Sequence, residues 1–418
     1  MTSRERVHNT VNRLPADKMP LDLGATPVSG ISASVLYRLR KALGLKEKPV
    51  RVIEPGQMLG YVEEDVRSAL GVDTIGIWRR MNNMGVKNSG RKLWSMMDGT
   101  PVEMAEDFAW DERPNGDIVA YPGGDKSVPP SLLMPKGGHF FSGIHRAEPF
   151  DEDNLNAVAD YGEQFAVYSD EDAYHIEREA TRLYEETDLA LIGNFSSGFF
   201  GDAGALTGNG LKHVQGIRSL DDWMMAHILF GDYIHDLFTY QLEVGLKNLE
   251  IYRQAVGDKI SVLYCMATDF GSQKGELISP EHYREFYKPY LTKFAKWVHE
   301  NTSWKVMLHS CGSIVNLLDD LVESGVDILN PVQCSAAGMN PVMLKEKYED
   351  KFIFWGGGID TQQTLPFGTP EEVRAEAEER IRVLGKGGGF VFNTTHNIVG
   401  GTPVENLIAM YGAVNEFR

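Results

Sequence analysis

The chain has few cysteines and a shortage of basic residues, and each shortage excludes a class of protein. Its 418 residues include 3 cysteines, an odd number that is too small for a disulfide framework. The 41 lysines and arginines are outnumbered by 59 acidic residues, which gives a formal net charge of -18. Because nucleic acids and anionic membranes attract basic surfaces, neither is expected as a partner.

Long apolar runs are missing as well. No stretch of roughly eighteen apolar residues occurs, and residues 1–8 lack the apolar core of a signal peptide. The sequence therefore predicts no membrane span. Two of the three cysteines lie at predicted strand ends, which favours a reducing, cytoplasmic location. The hydrophobic content of 42% is that of a globular protein with a large core.

What the chain does contain is an alternation of short apolar strands with amphipathic helices. This alternation predicts parallel strands covered by helices, and eight strands favour an α/β fold of the (β/α)8 TIM-barrel type over an open sheet. The predicted strands are 20–23, 73–78, 189–194, 260–266, 305–308, 327–330, 352–355 and 389–392. The main predicted helices are 33–43, 220–244, 280–300, 314–323, 370–384 and 403–414.

One interval departs from this pattern. Between residues 94 and 143, turn signals at 115–117 and 123–125 separate short segments at 100–104 and 117–121. Such spacing is typical of an antiparallel hairpin. We therefore predict a single β/α barrel domain over residues 1–418, with an inserted antiparallel β-hairpin subdomain at 94–143 near the barrel mouth.

His309 and Cys311 stand two residues apart, at the point where an apolar run meets a glycine turn. In a β/α barrel the loops after the strands build the active face, and zinc accepts imidazole nitrogen and thiolate sulfur together. His396 closes another apolar run in the same position, and Cys334 follows a third and is a further candidate ligand. Cys265 lies inside a strand and is interpreted as a core residue. The competing interpretation of the first pair is a hydrogen-bonded loop histidine beside an incidental thiol.

Polar residues gather on the same predicted face. Asp269 follows the fourth strand, Gln333 the sixth and Asp360 the seventh, while Asp22 lies on the first. Solvation or capping explains each of them singly. Their convergence on one barrel end makes the four candidate catalytic residues. The glycines at 356–358 lack the pattern of a nucleotide-binding loop, so a tight turn that lets the backbone approach a ligand is the favoured interpretation.

Taken together, these motifs resemble the uroporphyrinogen decarboxylase superfamily over most of the chain. The resemblance rests on the segments 269–273, 278–283, 309–312, 325–331, 355–362, 396–398 and 402–406. It implies a β/α barrel with one of two chemistries. One is cofactor-free decarboxylation of porphyrinogens, and the other is zinc-dependent exchange of a methyl group with a corrinoid protein.

Two positions distinguish these branches. The decarboxylases of the superfamily carry an arginine-rich loop of the type Arg-Gln-Ala-Gly-Arg-Tyr after the first strand, whereas residues 21–30 here contain no arginine and add Asp22. Because a pocket for a polycarboxylate needs bidentate cations, this difference counts against decarboxylation. His309 and Cys311 resemble zinc ligands of the methyltransferases. Those enzymes usually supply the last ligand as a cysteine, whereas this chain has His396, a histidine as in the decarboxylases. A His/Cys/His set would leave zinc more Lewis-acidic.

The sequence therefore predicts a zinc-dependent methyltransferase that moves a methyl group between a small thiol, ether or amine substrate and the cobalt of a methylcobamide. No Asp-x-His-x-x-Gly corrinoid-binding signature occurs in the chain, so the corrinoid is expected on a separate partner protein. Two alternatives stay open. One is a metal-free decarboxylase or lyase in which Asp22 and His396 contact the substrate, and the other is a non-catalytic tetrapyrrole-binding protein. The direction of transfer and the formation of a homo-oligomer are open too.

Overall fold

The structure is a computed structural model that describes residues 1–418, the side chain of Ala203 excepted. The strands are β1 (Val50–Glu54), β2 (Leu59–Gly60), β3 (Thr74–Ile77), β4 (Lys92–Ser95), β5 (Pro101–Met104), β6 (Trp110–Glu112), β7 (Ile118–Ala120), β8 (Leu132–Met134), β9 (Ser142–Gly143), β10 (Ala190–Asn194), β11 (Ile260–Ala267), β12 (Lys305–His309), β13 (Ile328–Asn330), β14 (Ile353–Trp355) and β15 (Phe390–Val391). The α-helices are α1 (Ser3–Val11), α2 (Ala33–Ala42), α3 (Glu64–Leu70), α4 (Ala157–Tyr161), α5 (Asp170–Glu186), α6 (Leu220–Leu229), α7 (Gly231–Val256), α8 (Pro280–His282), α9 (Lys288–Asn301), α10 (Leu318–Glu323), α11 (Pro341–Tyr348), α12 (Thr364–Phe367), α13 (Pro370–Leu384) and α14 (Val404–Phe417).

A parallel sheet of seven strands forms the centre of the protein, in the order β15-β14-β13-β12-β11-β10-β3. Its two edges are linked through residues 20–22. The Asp22 amide donates to the Phe392 carbonyl at 2.9 Å, beside β15, and the Asp73 amide donates to the Leu21 carbonyl at 2.8 Å, beside β3. The sheet therefore curls round on itself, consistent with a TIM-like barrel, and the predicted α/β class is confirmed.

Both faces of this sheet are apolar. Alternate strand residues point inward and form an inner cluster: Ala190, Ile192, Val262, Tyr264, Ala267, Met307, Ile328, Ile353, Trp355 and Val391. The residues between them pack outward against the helices, as Leu263 and Leu308 do. Burial on both faces explains why each strand is a continuous apolar run in the sequence instead of an alternating one.

Two further sheets lie in the interval between residues 50 and 143. The first has the order β2-β1-β5-β4, and the second has the order β6-β7-β8-β9 with every pair antiparallel. The predicted single hairpin at 94–143 is not confirmed, because its strands divide between two sheets. The first sheet also draws β1 and β2 from before residue 94, with β1 parallel to β5. The division of the chain into domains stays a prediction.

Several predicted helices are interrupted. The helix predicted at 220–244 is divided into α6 and α7 at Phe230, whose φ of -132° and ψ of 47° are not helical. The helix predicted at 280–300 contains a π-helical turn, Tyr283–Tyr287, that buries three aromatic side chains. The helix predicted at 314–323 begins only at Leu318. Among the described residues, no helix combines the length and the apolar character needed to cross a bilayer.

Candidate metal centre

His309 is the last residue of β12 and lies at the carboxyl end of the parallel sheet. The strand buries its apolar residues on both sides, so the His309 side chain is fixed at the strand end with only 5% of the residue exposed. The chain then turns at Gly312, whose φ of 84° lies in the left-handed region. A side chain at Gly312 would collide with the backbone of Gly271, in the loop after β11. The two neighbouring loops are therefore in direct backbone contact beside His309.

The structure brings His309, Cys311 and His396 together. Their ligand atoms all lie within 4.8 Å of one another, and among the described residues they are the one group of three or more His, Cys, Asp or Glu side chains placed in this way. The Cys311 Sγ atom lies 3.4 Å from the His309 Nε2 atom. The two imidazole rings have centroids 5.2 Å apart and planes inclined at 67°. Three of the four residues that the sequence offered as metal ligands thus converge.

Asn330 sets the orientation of His309. Its Nδ2 group donates to the Trp355 carbonyl at 2.9 Å, so its Oδ1 atom is the one that faces His309 Nδ1, at 2.6 Å. An oxygen acceptor at that point favours the tautomer with the proton on Nδ1. The Nε2 lone pair is then directed at Cys311 and His396. Metal-bound histidines usually have such a partner on their second ring nitrogen, so the donor set fits a metal such as zinc.

Burial sets the charge state of the three side chains. It lowers the pKa of His309, against the opposing effect of the nearby Asp269 carboxylate. It lowers the pKa of His396 to about 4, and the proximity of His309 adds to the effect. Burial also raises the pKa of the Cys311 thiol, and the Asp269 charge acts in the same direction. At neutral pH both imidazoles are therefore uncharged, which is the form that binds a metal, while the thiol would release its proton on binding.

Two of the four predicted catalytic residues hold the loop that carries Cys311. Asp269 accepts a hydrogen bond from the Cys311 amide at 2.8 Å, and its Oδ1 atom lies 4.0 Å from His309 Nε2. Gln333 is buried, and its Oε1 atom accepts from the Gly312 amide at 2.6 Å. The Asp269 side chain is 46% exposed and is open to a ligand at the strand ends. Its hydrogen bond to the Cys311 amide therefore positions this loop while part of the side chain stays exposed.

The other two predicted catalytic residues make their contacts elsewhere. Asp22 is 1% exposed and accepts hydrogen bonds from Thr74 Oγ1 at 2.6 Å and Trp355 Nε1 at 2.9 Å. Burial raises the pKa of its carboxyl group. Asp360 accepts from the amides of Gln362 and Gln363, inside its own loop. None of these hydrogen bonds reaches the three-residue group, so a catalytic role for either residue stays a prediction.

Cys334 does not join the candidate ligands. Its thiol donates to the Val332 carbonyl at 3.4 Å, and burial raises the pKa of that thiol to about 11, with Arg380 and Glu376 of α13 as the nearest charges acting on it. Cys334 packs against the outer hydrophobic cluster and is not part of the group formed by His309, Cys311 and His396. Cys334 therefore leaves the proposed ligand set.

Asp202 is a carboxylate near the site that no sequence pattern indicated. Burial and the charge of Asp269 raise its pKa to about 7. The loop that carries it is held by a hydrogen bond from Thr268 Oγ1 to the Phe200 carbonyl at 2.5 Å. In the same loop, the Phe199 ring packs 5.3 Å from the Tyr264 ring of the inner cluster. Asn330 was missed as well, because its role depends on a contact with the neighbouring strand.

The fold and the site define an α/β protein of the TIM-like class with a candidate metal centre at the carboxyl ends of its strands. Residues 260–417 match the family model described as uroporphyrinogen decarboxylase (URO-D). This match confirms, for that part of the chain, the resemblance that the motifs predicted.

Curated relatives include enzymes of both chemistries. The chain is 32% identical over 145 residues to a methylated-thiol–coenzyme M methyltransferase of Methanosarcina mazei, covering 35% of this chain and 36% of the relative. It is 29% identical over 188 residues to a uroporphyrinogen decarboxylase of Anaeromyxobacter dehalogenans, covering 44% and 48%. It is 26% identical over 185 residues to a methylcobamide:CoM methyltransferase of Methanosarcina barkeri, covering 44% and 50%. The matched segments thus span half or less of the length of these relatives.

A solved structure, a methyltransferase from Methanosarcina mazei, has the same overall fold. It superposes with a TM-score of 0.55 at 19% sequence identity, and the match covers 100% of this chain and 99% of that one. At this identity the match supports the fold alone. The fold is therefore shared along the whole chain, whereas the sequence relationship is concentrated in the C-terminal part.

Proposed function

We propose that this protein is a zinc-dependent methyltransferase that moves a methyl group between a small thiol, ether or amine substrate and the cobalt of a corrinoid carried by a separate protein. The observation that carries the proposal is the convergence of His309, Cys311 and His396 within 4.8 Å at the strand ends. The relationship to methyltransferases that act on methylated thiols and on methylcobamide supports the reaction class.

In this proposal His309 Nε2, His396 and the Cys311 thiolate hold zinc, and one coordination position stays open for the substrate. When bound, zinc would supply Lewis acidity that deprotonates a substrate thiol or improves an ether oxygen or amine nitrogen as a leaving group. Asn330 keeps the His309 ring in the binding orientation, and Asp269 fixes the loop of Cys311 through its amide. The exposed part of Asp269 faces the space that the substrate and the corrinoid would share.

Metal analysis tests the first step. We expect about one zinc per wild-type chain and its loss in Cys311→Ala, while Cys334→Ala, the matched cysteine control, keeps its metal. X-ray absorption should give one sulfur ligand at about 2.3 Å and nitrogen ligands at about 2.0 to 2.1 Å. Absence of stoichiometric zinc from the wild-type protein, even after incubation with the metal, would sink the proposal.

Methyl transfer itself can be followed by the colour change of cobalt. Methylcobalamin can substitute for the partner protein, and thiols, phenolic ethers and methylamines can be tested in turn, in both directions. We expect turnover with one substrate class and loss of turnover in Cys311→Ala but not in Cys334→Ala. Turnover that is unaffected by the loss of zinc would contradict the role assigned to the metal.

The relationship to uroporphyrinogen decarboxylase supports a second candidate function, that of a metal-free decarboxylase or lyase. Against it, Asp22 is enclosed by Thr74 and Trp355 and has little surface left for a substrate. Consumption of uroporphyrinogen by the purified, metal-free protein would establish this alternative. The third candidate is a non-catalytic tetrapyrrole-binding protein. It predicts that the ligand binds without turnover and that Cys311→Ala still binds it.

A further inference from the structure

An open cavity of about 840 Å³ lies at the end of the barrel opposite to His309. Asp73 and Leu189 in its wall immediately precede β3 and β10, so the cavity is at the amino ends of these parallel strands. Arg51 of β1 and Arg67 of α3 line another part of the wall. Such a volume is within the range of about 300 to 1,000 Å³ that is usual for small-molecule sites.

Arg67, which is buried, and Arg51, which is half-buried, lack a close carboxylate partner in this wall. The Arg67 side chain is 5% exposed, and its closest carboxylate oxygen, on Glu64, is 3.9 Å away. Arg51 has a buried Nε atom with no hydrogen-bond partner among the described residues. Both guanidinium groups lie over the Tyr61 ring, at 3.7 Å for Arg51 and 5.0 Å for Arg67. Because burying an unpaired cation is costly, this arrangement points to a missing anionic partner.

Four of the five acidic residues in the wall of the cavity already have partners. Asp73 is 2% exposed and accepts from Arg6 at 2.5 Å and from Arg418 at 3.2 Å. Glu186 is paired with Arg182 at 2.9 Å. The remaining acidic groups in the wall are Glu63, which pairs with Lys48, Glu64, which accepts from Ser68, and the exposed Asp188.

A third cation of the wall, Lys18, is influenced more by neighbouring positive charges than by neighbouring carboxylates. Burial lowers the pKa of Lys18, and the charges of Arg418 and Arg6 lower it further. The effect of these like charges exceeds that of the carboxylates of Asp73 and Asp17. An anion bound in the cavity would oppose this lowering of the Lys18 pKa.

We propose that this cavity binds a small molecule with multiply charged oxyanion groups, either phosphate or carboxylate, and that Arg51 and Arg67 are its principal ligands. The planar guanidinium group of arginine matches the oxygens of both groups through paired hydrogen bonds. Tyr61 holds the two side chains in place by cation–π contacts. The site lies at the other end of the barrel from the candidate metal centre, so it is independent of the proposed methyl transfer.

Calorimetric titration of the full chain with pyrophosphate and with citrate tests this site. The anion that binds more tightly identifies the ligand class, phosphate for pyrophosphate and carboxylate for citrate. Arg67→Met and Arg51→Met should each weaken binding about tenfold or more, as expected for the loss of one charge-assisted hydrogen bond. Arg113→Gln, an exposed arginine outside the cavity, is the matched control and should bind as the wild type does. The zinc content should be the same in all of these proteins.

Chemical modification of the unmutated protein gives an independent measurement, which does not depend on the folding of a variant. Phenylglyoxal modifies accessible arginines, and mass spectrometry locates the products. Saturating pyrophosphate or citrate should slow modification of Arg51 and Arg67 and leave Arg113 unchanged. The proposal is overturned if neither anion binds saturably, or if one binds without protecting these two arginines.

Discussion

Asn330 provides the sharpest test of how the candidate metal centre is held. It lies fully buried at the end of β13, between the Nδ1 atom of His309 at 2.6 Å and the carbonyl of Trp355 at 2.9 Å. Asn330→Ala removes both contacts, so the His309 ring is no longer held in one tautomer and one orientation. Loss of such a partner typically weakens metal binding about 10- to 100-fold, or about 1.4 to 2.7 kcal/mol. We expect zinc affinity, measured by competition with a chromogenic chelator at neutral pH, to fall by this amount.

Asn194→Ala is the matched control for this variant. Asn194 ends the parallel strand β10, is 5% exposed and donates to the carbonyls of Ala25 and Ile77 at 3.0 and 3.3 Å, without touching a candidate ligand. Both variants should lose about 1 to 3 kcal/mol in the free energy of unfolding, measured with urea in the presence of a chelator, because each leaves buried groups without partners. Only Asn330→Ala should lose zinc affinity. Equal affinities for the two variants would refute the assigned role of Asn330.

Three further predictions concern protonation, thiol reactivity and the ion pairs of the barrel. In the metal-free protein the pKa of His396 is about 4, below its ordinary 6.5. The contribution of neutral His396 to the free energy of unfolding is therefore complete above about pH 6.5 and is lost as the pH falls to about 4. The free energy of unfolding, measured with urea, should therefore decline less steeply over this range in His396→Gln than in the wild type. Zinc should protect Cys311 from alkylation without altering the labelling of Cys334, while Cys265, which is 0% exposed, should react only on unfolding, as mass spectrometry would show. Asp73→Asn removes the carboxylate shared by the buried Arg6 and Arg418; Arg6 keeps Asp17, whereas Arg418 is left without an acidic partner. This variant should lower the free energy of unfolding by about 3 kcal/mol in the same denaturation assay.

Seven of the eight predicted barrel strands could be located from the sequence because burial on both faces makes them continuous apolar runs, whereas the strand predicted at 20–23 is wrong, since this segment forms only an isolated bridge at Leu21. Strands β3 and β10 fall within the predicted ranges, and β11 and β12 exceed theirs by a single residue at the carboxyl end. Interruptions of helices were not predictable in this way. The break at Phe230 is a matter of backbone conformation, and the late start of α10 accompanies a bond from the Asn316 amide to Glu276, a residue distant in the sequence. Local periodicity contains no information about such contacts.

The candidate site was predictable to the extent that it depends on strand ends. His309, Cys311 and His396 follow apolar runs, and parallel strands bring such positions to the same end of a sheet. Cys334 satisfies the same rule but turns toward α13, because the direction of a loop side chain depends on the path of the backbone after the strand. Asn330 ends its strand like many other polar residues, and only the register of β12 against β13 places it opposite His309.

The backbone contact between Gly271 and Gly312 limits how the protein can vary. Any side chain at either position would push the two loops apart and displace Cys311, so libraries built to change substrate choice should keep both glycines fixed. Diversity is better directed to the exposed side of the loop after β11, where Lys274 has no buried contacts to lose. In this way the geometry of the candidate metal centre can be preserved during directed evolution while the surface around it is changed.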